Sequence, residues 1–184
     1  MDLDQQFHEG MHPQEYVDQM QSHQNDLLYI YENFSTQVED VPLFEEVQNK
    51  QWRALVLTED WCGDAMLNLP IFLRIAEAAQ IDTRFFLRDE NPGLMDHYLT
   101  NGTSRSIPKI ILIDSAGNEA AVWGPRAPEL EQFVSEALTS LPGKEAPDHE
   151  EKRREVLLFV TKAFRDNQDF WHYVYEDLKQ TLKF

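Results

Sequence analysis

"WRALVLTEDWCGDAMLNLPIFLRIAEAAQ" (residues 52–80) joins two periodicities. Residues 52–59 are a short run rich in large apolar side chains, suited to a buried strand. From Cys62 to Gln80, Met66, Leu67, Leu69, Phe72, Leu73, Ile75, Ala76 and Ala79 recur at helical spacing. Pro70 falls inside that helix, where the missing N–H predicts a kink. The junction holds the chain's single cysteine, Cys62, between Trp61 and Gly63. Unpaired N–H groups at a helix N-terminus favour an anion, so a thiolate there is stabilised. Gly63 lets the chain turn without obstruction, and Trp61 can shield one side of the sulfur.

Downstream, "IDTRFFLRD" (81–89) is a second strand, "ENPG" (90–93) a turn and "LMDHYLTNG" (94–102) a short helix. "SIPKIILID" (106–114) and "EAAVWG" (119–124) are strands joined by "SAGN" (115–118), a connection short enough to require an antiparallel hairpin. Residues 127–141 form an amphipathic helix. The first two strands are linked by a long helix, which predicts parallel pairing with a right-handed crossover. The fold class is therefore α/β, a mixed sheet flanked by helices. Upstream, one helix is predicted over 12–34 and a shorter one over 41–49. Beyond the sheet, 142–155 is a polar linker or helix start, and a last helix runs from about Val156 to the end. The domain organisation expected is an N-terminal helical extension (1–51), a core (52–142) and a C-terminal helical extension packing on it (143–184).

Composition limits the function. The chain has 184 residues and a net charge of −17, from 33 acidic against 16 basic side chains. That balance opposes nucleic acid or an anionic membrane as main partner. One cysteine excludes an internal disulfide and a cysteine-rich metal site. No basic-then-apolar leader opens the chain, so a cytoplasmic location is expected. "HEGMH" (8–12) matches the zinc-protease pattern H-E-x-x-H, but Gly10 interrupts it and Pro13 follows at once, so no metal is expected.

Residues 52–142 resemble the thioredoxin-like superfamily. "WCGDA" (61–65) stands where that family carries Trp-Cys-Gly-Pro-Cys. "DENPG" (89–93) resembles the turn after its third strand, "SIPKIILID" the strand opened by a cis-proline, and Gly124 the glycine near its active site. The resemblance implies a catalytic nucleophile at Cys62. It implies a surrounding surface of Trp61, Gly63, Asp64, Ala65, Ile107 and Pro108, with the Ile107 backbone pairing an extended substrate.

Three departures qualify this. Ala65 replaces the family's second cysteine, Asp64 its proline, and Val56 a buried acid that assists proton transfer. Without a second thiol, a mixed disulfide must be released by another molecule. Glu59, Asp60 and Asp64 oppose a thiolate, with no Lys or Arg in the loop to compensate, so a thiol less acidic than the family's dithiol sites is expected. Asp64 is read as a helix cap or dipole partner. The leading expectation is monothiol thiol–disulfide exchange through Cys62 with protein disulfides or a low-molecular-weight thiol, helped by an external reductase and needing no cofactor. The alternative is a protein- or peptide-binding module that has lost redox cycling.

Overall fold

A computed structural model describes residues 1–183. Strand β1 (Arg53–Thr58) leads directly into helix α5 (Gly63–Ala79), and β2 (Asp82–Leu87) returns beside β1 in parallel. β3 (Lys109–Ile113) pairs antiparallel with the other side of β1, and β4 (Glu119–Trp123) antiparallel with β3. The sheet order is β2-β1-β3-β4. Central strands β1 and β3 are buried along nearly their whole length, as a sheet covered on both faces requires. Helix α5 continues through buried Pro70 as one element and packs against its neighbours along its length.

Four short α-helices and one 3-10 turn (Val38–Asp40) precede β1: α1 (Leu3–Phe7), α2 (Pro13–Gln19), α3 (Gln24–Asn33) and α4 (Val41–Lys50). The single helix predicted over 12–34 is broken between α2 and α3. Met20 is extended and His23 left-handed at φ 57°. The break is stabilised from outside: Asp60 Oδ2 accepts from the backbone N–H of Gln21 at 2.7 Å and of Ser22 at 3.2 Å. "HEGMH" becomes an edge contact. Met11 exchanges backbone hydrogen bonds with Phe85 of β2 at 3.0 and 2.8 Å, and a side chain at Gly10 would collide with the Phe86 ring.

Between β2 and β3 lies α6 (Pro92–Met95), a single helical turn that starts inside the segment expected as a turn (90–93) and ends well short of the helix expected over 94–102; after the sheet come α7 (Pro128–Thr139), α8 (His149–Asp166) and α9 (Gln168–Leu182). The last helix predicted from Val156 is two helices. Asn167 separates them and caps α9 through its side chain to Asp169 N. Polar residues 149–155, read as a linker or helix start, belong to α8. Helix α9 buries Trp171, Val174, Tyr175 and Leu178, and Lys179 reaches Asp40 at 2.7 Å. Among the described residues no helix is long and apolar enough to cross a membrane.

Gly124 has φ +114°, and a Cβ there would lie 2.1 Å from the Pro108 carbonyl oxygen. Gly124→Ala is therefore expected to cost about 2 kcal/mol or more in urea unfolding. Gly143→Ala, with open space around it, should change the midpoint little.

Candidate functional site around Cys62

The site forms where β1 hands over to α5. Cys62 is the N-cap of α5, extended at φ −85°, ψ 115°, and its carbonyl accepts the first helical bond from Met66 N. The backbone N–H groups of Asp64 and Ala65 face its sulfur. Opposite lies the start of β3, where the Ile107–Pro108 peptide is cis and both residues are buried. Gly124, just past the end of β4, abuts Pro108. Fold topology thus brings Cys62, Ile107, Pro108 and Gly124 together from three separate segments. Neighbouring loops are tied in. Glu59 accepts from Asp89 N at 2.8 Å, and Thr58 Oγ1 meets Tyr16 Oη at 3.2 Å.

The sulfur is not presented to solvent. Cys62 is 8% exposed, and its Sγ donates to the Ile107 carbonyl oxygen at 3.5 Å. That carbonyl belongs to the residue whose backbone the resemblance assigns to substrate pairing. Burial pushes the thiol up to about 11, Asp64 adds to the rise, and the facing N–H groups oppose it. Desolvation thus outweighs the helix N-terminus. Trp61 contributes little shielding. It is half exposed, with the Arg88 guanidinium 4.8 Å from its ring centre.

Asp64 is not a cap. Arg126 grips it bidentately, Nε to Oδ1 at 2.6 Å and Nη2 to Oδ2 at 2.8 Å, while its remaining nitrogen reaches Glu131. Burial raises the Asp64 pKa and Arg126 opposes that rise. The two-bond fork is the geometry of a charge-assisted pair. The compensating cation missing from the loop comes from 62 residues away, beyond the reach of local sequence patterns.

Helix α8 packs beside the cysteine loop. A Cβ on Gly63 would come within 2.6 Å of Thr161 Cγ2, so the helix lies directly on the turn. Between α8 and the cysteine loop runs a cleft of about 840 Å³, with Trp61, Cys62, Arg126 and α8 side chains on its walls. His23, at the α2–α3 break, also lines it. A second cleft of about 630 Å³, between α2, α3 and the end of α5, has no cysteine and lies apart from this chemistry. Ala65 and Val56 are buried and apolar, 1% and 0% exposed. Among the described residues no cluster of His, Cys, Asp and Glu could hold a metal ion.

A family model described as Thioredoxin matches residues 10–140. Two crystal structures share the chain's shape. An HIV epitope scaffold aligns over 100% of this chain and 98% of its own, with TM-score 0.65 and 16% identity. A protein of unknown function from Pseudomonas aeruginosa aligns over 96% and 99%, with TM-score 0.60 and 16% identity. At that identity the likeness concerns fold alone. No curated protein matches the sequence.

Two outcomes test this geometry. The alkylation rate of Cys62 by iodoacetamide should keep climbing above pH 9, because the protonated form persists to about pH 11. A plateau near pH 8 would contradict the burial. Gly63→Ala should raise that rate by displacing α8, and Thr161→Ala in the same chain should restore slow labelling. Additive effects of the two changes would mean that the contact does not govern access.

Proposed function

The chain belongs to the thioredoxin family, and we propose that it works there as a binding protein rather than as a cycling thiol–disulfide oxidoreductase. The observation that carries this reading is the state of Cys62, a buried thiol bonded to Ile107 O. Exchange begins with thiolate attack on a disulfide sulfur. A thiol pushed up to about 11 leaves about one molecule in ten thousand ionised at pH 7. The other parts of the redox cycle are apolar here, at Ala65 and Val56. What remains is a concave surface beside the helix N-terminus, walled by α8, which is the kind of space that holds a ligand.

A second reading has its own support: Cys62 lines the cleft, and the N–H groups of Asp64 and Ala65 face its sulfur. In that reading the thiolate attacks the disulfide of an oxidised low-molecular-weight thiol. One new S–S bond forms as the old one breaks, the other half leaves as a thiolate, and a further thiol later attacks the mixed disulfide to release Cys62.

Mass spectrometry separates the two. Incubated with oxidised glutathione at pH 7, the native chain should keep its mass, while the same chain in urea at pH 9 should gain one glutathionyl adduct. Rapid adduct formation by the native chain would displace the binding reading in favour of monothiol exchange.

A further inference from the structure

We infer that the cleft over Cys62 binds a small amphiphilic anion, its acidic head held by Arg153 and Arg154 and its apolar part lying against Leu157, Leu158 and Trp61. The inference rests on the binding reading above and supplies the ligand's chemistry.

Charge carries it first. With 33 acidic against 16 basic side chains, the average surface repels anions. Among the described residues every arginine except two is ion-paired to a carboxylate. The exceptions are Arg153 and Arg154, consecutive on α8, and both line this cleft. In so acidic a chain, two guanidinium groups left without a carboxylate beside one concavity form a local anion site. Their planar donor forks suit a carboxylate or phosphate oxygen pair. Two carboxylates also line the cleft. Asp64 is already engaged by Arg126, which leaves Glu150 as the single opposing charge.

Apolar surface carries it second. Leu158 is 65% exposed, Trp61 50% and Leu157 38%, although each lines the cleft. Behind them Val134, Val160 and Phe164 are buried and continue the apolar wall inward. Exposed side chains of this size gathered at one concavity mark a contact surface. The volume of about 840 Å³ falls in the range of small-molecule sites. A cationic rim above an apolar wall therefore matches a molecule with one acidic end and one hydrocarbon end.

Calorimetric titration with octanoate, octanol and octyltrimethylammonium at low salt tests the assignment. The three share a hydrocarbon chain and differ in head charge. The overall charge of the protein ranks the cation above the alcohol and the anion last. The cleft ranks the anion first, and octanoate should bind about tenfold or more tighter than octanol. Arg153→Glu with Arg154→Glu, two exposed positions, should weaken octanoate about tenfold or more and leave octanol within about twofold. Equal affinity for octanoate and octanol, or octanoate binding that survives the double change, overturns the head-group assignment. If Leu158→Asp then still weakens octanol, cleft binding itself stands. Absence of binding by all three probes overturns both the assignment and the binding reading.

Discussion

Helix α8 lies across the mouth of α5 because residue 63 has no side chain. A single methyl group at Gly63 would meet Thr161 at 2.6 Å. Close approach at that point carries the surrounding chemistry with it. Beside that contact Cys62 is buried, and the loss of water, more than any neighbouring charge, makes the proton hard to remove. The same approach sets the opposite wall of the cleft and brings arginines to its rim. A glycine that in open thioredoxin-like sites would simply ease a turn serves here as a seat for another helix.

Charge near the sulfur is arranged in closed pairs. Asp64 answers to Arg126, Arg126 also to Glu131, and Glu59 to the backbone of Asp89. Arg126, the one cation among them, favours the thiolate, but the burial of the sulfur outweighs it. The pairing also has a mechanical role. Arg126 follows β4 and Glu131 lies in α7, so one guanidinium ties the start of α5 to the far end of the sheet. Breaking such a pair from one side strands a partly buried charge, which is costlier than removing both partners.

The strand–helix unit from β1 to α5 was legible because its signal is local: a run of buried side chains, then a change of period at Cys62. The hairpin was legible for the same reason, since four residues between two apolar runs leave few geometries. The break between α2 and α3 was not. "MQSH" holds no proline or glycine, and its backbone is satisfied by Asp60, some forty positions later. The division between α8 and α9 had a usable sign in Asn167 and Asp169, masked by the aromatic run that follows. For the site, Cys62 and Pro108 announced themselves by motif, whereas Arg126, Thr161 and the approach of α8 depend on packing between distant segments. Asp64 illustrates the limit. Its position at a helix start suggested a cap, and only the fold brings the arginine that claims it.

One contact at the edge of the sheet bears on how the chain behaves in a crowd. β2 is an edge strand, and an open edge is a template for pairing with a second chain. Met11 takes up both backbone groups of Phe85 in the middle of that edge, and the Phe86 ring packs where Gly10 leaves room. The segment before the first long helix is thus a short, in-built cover strip. It interrupts the ladder before a neighbour can extend it, which keeps the sheet four strands wide and discourages association through its edge.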